Sequence, residues 1–140
     1  MEKKFLVIGI LLSAMLLLGC TSPAPKTEGA DPQTAVSSDA ATIKITADGF
    51  QPKTLEVKAG TTVTFVNEDT AKHWPASAMH PTHTIYPGSG IEKCGTEEAI
   101  FDACKGLGQG ESFSFTFNEI GSWKYHDHLS VSSTGTIVVE

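Results

Sequence analysis

From Thr42 onward, apolar and polar positions alternate with a period of two, the pattern of strands that bury one face. Ile43 and Ile45 flank Lys44, Leu55 and Val57 flank Glu56, and Val63 and Phe65 alternate with Thr62 and Thr64. Later, Phe113, Phe115 and Phe117 alternate with Ser112, Ser114 and Thr116, Trp123 and Tyr125 alternate with Ser122 and Lys124, and Ile137 and Val139 finish the chain. Turn pairs at Asp48-Gly49 and Ala59-Gly60 separate the early runs. No window long enough for a helix carries an apolar stripe, apart from a short turn around residues 97–103. The pattern predicts an all-β domain over residues 42–140, a Greek-key β-sandwich of about seven or eight strands.

The chain before this domain has a different grammar. Lys3 and Lys4 precede an apolar stretch from Phe5 to Leu18, which ends at Gly19-Cys20. That stretch is too short for a comfortable membrane span and ends in a small residue, as a cleaved signal does. Residues 1–19 resemble a bacterial lipoprotein signal peptide, which implies lipidation of Cys20 and an extracytoplasmic protein anchored in a membrane, periplasmic or at the cell surface. An ordinary signal peptide or an uncleaved anchor is the alternative. Residues 20–41 are rich in Pro, Ala, Ser, Thr and Gly, with little to bury, and are expected to form a flexible tether.

Charge narrows the class of partner. The net charge is -6 and the sequence contains no arginine, so neither a nucleic-acid surface nor bidentate recognition of phosphate is expected. Beyond Cys20 only Cys94 and Cys104 remain, and an even pair in an exported chain is expected to form a disulfide. It would tie down the glycine-rich stretch from Pro87 to Gly110, contributing about 3 kcal/mol by loop entropy. Two metal-binding thiolates are the alternative.

The five histidines fall in two clusters, His73, His80 and His83 in one, His126 and His128 in the other. Both clusters follow strands, where loops gather at one end of a sandwich. Imidazole suits copper, zinc, nickel and iron, and copper(II) binds a given nitrogen site most tightly of the divalent series. Met79 is a candidate soft ligand and Asp127 a candidate oxygen ligand. Strand alternation sends Trp123, Tyr125 and Asp127 toward the core, and Lys124, His126 and His128 the other way. A regular strand would therefore put Asp127 on one face and the two flanking histidines on the other. A bulge at the strand end could bring one of them round.

The run Thr61-Thr-Val-Thr-Phe-Val-Asn-Glu-Asp69 with His73, and Gly121-Ser-Trp-Lys-Tyr-His-Asp-His128 with Gly135-Thr-Ile-Val-Val139, resemble the cupredoxin family. The resemblance covers residues 42–140 and implies a cupredoxin-like sandwich in which His73 is a copper ligand. It also implies a cysteine, a second histidine and a methionine in the last loop. This chain has Asp127, Ser130 and Ser133 at those positions. A blue copper centre needs a thiolate on the metal, so none is expected here. The Tyr-His-x-His segment at Tyr125–His128 also resembles multicopper oxidases, although Pro75 stands where their pattern has a second histidine.

The expectation is thus an extracytoplasmic, lipid-anchored copper-binding protein with a site drawn from His73, His80, His83, His126 and His128. It would carry copper or act with a redox partner protein, with zinc as the alternative metal. An electron carrier with altered ligands and a small copper oxidoreductase are the rival readings.

Overall fold

The computed structural model describes the backbone of residues 36–37 and 40–140, with side chains from residue 41 onward. The signal segment, Cys20 and most of the tether lie outside the described residues. Nine strands follow one another among the described residues: β1 Val36–Ser37, β2 Ala40–Thr46, β3 Gly49–Gln51, β4 Thr54–Val57, β5 Thr61–Asn67, β6 Pro75–Ser77, β7 Ser112–Phe117, β8 Gly121–Asp127 and β9 Ser130–Val139. They form two mixed sheets, ordered β1-β4-β9-β8-β6 and β3-β2-β5-β7. The only helical element among the described residues is a single 3-10 turn at Ile91–Lys93. No helix forms around residues 97–103, where the sequence suggested a turn. The sheets also take in residues 36–37 and 40–41, within the stretch read as tether.

Period-two patterning does what it predicted. Along β5 every second residue is buried, from Thr61 to Asn67. The inward positions of both sheets meet in one core built from Ile43, Ile45, Leu55, Val57, Val63, Phe65, Phe117, Tyr125, Ile137 and Val139. Tyr125 packs edge-on against Phe50 and Phe65, with ring centroids 4.7 and 5.3 Å away, a geometry favoured by aromatic quadrupoles. Gly135 is its direct partner across the β8–β9 ladder. A Cβ at Gly135 would overlap the Tyr125 ring, so the residue opposite that tyrosine has to be glycine.

The long stretch between β6 and β7 is held at both ends of its cysteine loop. Cys94 and Cys104 form a disulfide with Cα atoms 5.4 Å apart. Phe101, fully buried, inserts into the core beside Phe65 and Phe117. Its neighbours extend the sheet past β6: Ser77 N donates to Phe101 O at 2.8 Å, Ala103 N to Pro75 O at 3.0 Å, and Asp102 bridges to Ala76. The outer face of this sheet edge therefore carries a row of side chains on Asp102, Ala76 and His126, each beside the next across the ladder.

Candidate metal centre

β8 separates two groups of titratable side chains. Its alternation holds to the end of the strand despite a register irregularity between His126 and Asp127. Asp127, fully buried, points inward and accepts from His73 Nδ1 at 2.7 Å and from the backbone N–H groups of Trp74 at 2.8 Å and Leu129 at 3.0 Å. His73 Nε2 meets Asp69 Oδ2 at 3.0 Å. Both ring nitrogens of His73 thus face carboxylates, and both donate when the ring is an imidazolium. Burial pulls the His73 pKa down, but the two carboxylates outweigh it and hold it above the ordinary histidine value. Hydrogen bonding from His73 in turn holds the Asp69 carboxyl below its usual range.

The other four histidines gather on the opposite face of the strand. His80, His83, His126 and His128 each offer a ring nitrogen, and these atoms all lie within 4.8 Å of one another. Ring centroids of His83 lie 5.0 Å from His126 and 4.9 Å from His128, and those of His80 and His128 are 4.7 Å apart. His126 and His128 come from the end of β8. His80 and His83 come from a loop that leaves β6 at Ala78 and returns at Ile85, closed by Ile85 N donating to Ala78 O at 2.6 Å. Within it, His83 N donates to Met79 O at 2.8 Å and His83 takes a left-handed backbone with φ of 59°. A bulky residue adopts that conformation only where its surroundings over-determine it. For His83 the surroundings are a side-chain bond from Nδ1 to Asp102 Oδ2 at 2.5 Å and a contact from Nε2 to His128 Nδ1 at 2.9 Å.

Electrostatics keep this cluster ready for a cation. His83 and His126 are buried, His128 is half-buried and His80 is exposed. Burial, reinforced by the neighbouring imidazoles of His83, His80 and His128, pulls the His126 pKa down to about 4. Burial and the same kind of crowding, from His83 and His80, also lower that of His128. Neutral imidazole is the form that binds metal. Both ring nitrogens of His126 are buried without a hydrogen-bond partner, a cost that native structures incur where something else satisfies the group. Four convergent nitrogen donors, one of them otherwise orphaned, fit a borderline metal ion such as copper.

The structure thus brings together His80, His83, His126 and His128 and places His73 and Asp127 across the strand from them. Met79 sits exposed at the tip of the histidine loop. Two neighbours that the sequence did not single out complete the arrangement. Asp102 holds His83, and Asp69 holds His73. Trp74, read from the sequence as a wall, stacks on His128 at 4.5 Å. Carboxylates in loops give no periodic signal, and only the fold puts Asp102 beside Ala76.

The model of the cupredoxin-like domain family matches residues 9–139. The chain belongs to that family. It is 31% identical to the chloroplastic plastocyanin of Physcomitrium patens over 109 residues, 74% of this chain, and spans 60% of that relative's length. Among solved structures it is similar to a purple cupredoxin from Nitrosopumilus maritimus, with 25% identity and a TM-score of 0.55 over 71% of this chain and 99% of that one. It is likewise similar to a reduced Cu(I) form of an amicyanin mutant, with 25% identity and a TM-score of 0.54 over 72% of this chain and 82% of that one. One face of β8 presents the His73–Asp127 pair. The four imidazoles occupy the other side of the same strand.

Proposed function

We propose that this cupredoxin-like protein binds copper outside the cytoplasm through His80, His83, His126 and His128. It acts as a copper carrier or as the redox partner of another protein, and is held to a membrane by a lipid on Cys20. The observation that carries the reading is the convergence of four imidazoles from two distant segments within 4.8 Å. The copper named for the amicyanin relative supports the choice of metal. With nitrogen donors and no thiolate, copper(II) in this site would lack the intense colour of blue centres.

Copper titration of the purified protein, followed by electron paramagnetic resonance, tests this. One tightly bound copper(II) per chain with hyperfine structure from several nitrogens, and no strong visible band, is the expected result. Absence of binding at micromolar copper near neutral pH overturns it. Loss of labelled fatty acid on Cys20→Ser tests the anchor. Reversible reduction of the bound copper would separate a redox role from simple carriage.

One feature favours a small copper oxidoreductase as the second reading. His80 and His126 line a groove of about 430 Å³ that also presents Lys53 and Lys124. An ion held by the cluster would then have a side open to a small anion, and turnover of nitrite or superoxide by the copper-loaded protein would support this reading.

A further inference from the structure

The carboxylate of Asp102 receives three hydrogen bonds, all from groups around the histidine cluster. Oδ2 accepts from His83 Nδ1 at 2.5 Å. Oδ1 accepts from the indole Nε1 of Trp74 at 2.6 Å and from the backbone N–H of Cys104 at 2.7 Å. Asp102 is 4% exposed and cannot swing away. Backbone bonds on both sides tie its segment to β6, and the disulfide at Cys104 ties it to the rest of the loop. Between Asp102 and His126 stands only the methyl group of Ala76, fully buried. His83 spans that short residue, reaching Asp102 with one nitrogen while its ring lies 5.0 Å from His126.

From this geometry we infer that Asp102 is a positioning residue: it fixes His83 in the tautomer whose Nε2 lone pair faces the cluster and, through Trp74, orients His128. With Oδ1 accepting from Trp74 Nε1 and Cys104 N, Oδ2 accepts from His83, and that bond places a ring proton on Nδ1. The Nε2 atom is left with its lone pair facing the cluster, where it accepts from His128 Nδ1 at 2.9 Å. The indole, anchored by the same carboxylate, lies tilted at 37° over the His128 ring and limits its rotation. Carboxylate partners of this kind orient metal-binding histidines and raise their basicity.

The isosteric change Asp102→Asn makes a sharp prediction. The amide introduced by that change would keep its oxygen toward Trp74 Nε1 and Cys104 N, which turns its NH2 group toward His83 Nδ1. That NH2 donates where the carboxylate accepted, the ring proton moves to Nε2, and the lone pair aimed at the cluster is lost.

The inference rests on the copper-binding reading for its consequence but not for its test, which uses nitrogen-15 chemical shifts of the histidine rings in the full-length, metal-free protein. The wild type is expected to show His83 protonated at Nδ1, Asp102→Asn to show it at Nε2, and Asp102→Glu to restore Nδ1. Copper affinity, measured by competition on the same proteins, should fall roughly 10- to 100-fold in Asp102→Asn and largely recover in Asp102→Glu. Wild-type His83 protonated at Nε2 overturns the inference, whether or not the variants fold. So does Asp102→Asn with an unchanged tautomer and an affinity within about threefold of wild type. If copper does not bind at all but the tautomer follows the side chain at 102, the positioning role stands and the metal reading fails.

Discussion

The two faces of β8 solve opposite electrostatic problems with the same residue type. On the inner face, His73 sits between Asp69 and Asp127, so positive charge is welcome. On the outer face, four imidazoles crowd together and protons are disfavoured on His126 and His128, with Asp102 the sole carboxylate among the described residues bonded to a cluster ring. Histidine therefore serves as one half of an ion pair on one side of a strand and as a candidate metal ligand on the other. What decides between the roles is whether the ring nitrogens meet carboxylate oxygens or one another.

The largest effect expected is on the inner face. Asp127→Ala leaves His73 and the Trp74 and Leu129 amides without their shared acceptor, and removing one member of a buried pair costs about 3–5 kcal/mol. Urea unfolding of the metal-free protein should register that loss. A stability unchanged within error would mean the pair is not the fastening it resembles.

Removing a ring from the outer face should instead be felt in the metal. His83→Ala or His126→Ala is expected to weaken copper binding by on the order of 100-fold or more, beyond what loss of a supporting residue costs. His73→Gln is expected to leave stoichiometry and affinity unchanged. If His73→Gln proved as damaging as His83→Ala, the division of the strand into two faces would collapse.

Acid and base should then separate the faces by sign. The folded pKa of His126, about 4, lies below the ordinary 6.5, so the unfolded chain takes up its proton first. Its contribution to stability is complete above pH 6.5 and drains away as the pH falls toward 4. The folded pKa of His73 is raised, so its contribution is complete below 6.5 and drains away as the pH rises through the folded value. Unfolding of metal-free protein across this range should show His126→Gln softening the acid limb and His73→Gln softening the other. In the loaded protein, copper should be released as the pH falls, because the rings must give up metal to take protons.

The smallest effect expected is that of His73→Gln on stability at neutral pH. A glutamine retains some of the hydrogen bonding, so the cost should be about 1–3 kcal/mol. Thermal melts can resolve a difference of that size.

Much of this arrangement was legible beforehand. Period two located the strands, and a regular alternation put His126 and His128 on the face opposite Tyr125 and Asp127; the meeting of Asp127 with His73 came from the resemblance and stood beside the alternative of a bulge. The pairing of Cys94 with Cys104 was expected from their number and from the export that the N-terminal segment suggests. What could not be read was where the loop bearing His80 and His83 would land. Its path depends on Ile85 closing onto Ala78, on the left-handed turn at His83 and on Asp102 waiting across Ala76, and these are tertiary facts without periodicity. The resemblance placed His73 in the metal site by position. The structure sets it instead between two carboxylates, Asp69 and Asp127.

The glycine opposite Tyr125 has a consequence of its own. Sliding β8 past β9 by a single step would turn its side chains over, exchanging what faces the core for what faces out. A slip would also drive the tyrosine ring into a neighbour bearing a side chain, so Gly135 acts as a notch into which only one alignment of the two strands can click. One missing methyl group thereby keeps the aspartate and the histidines at residues 126–128 from trading sides.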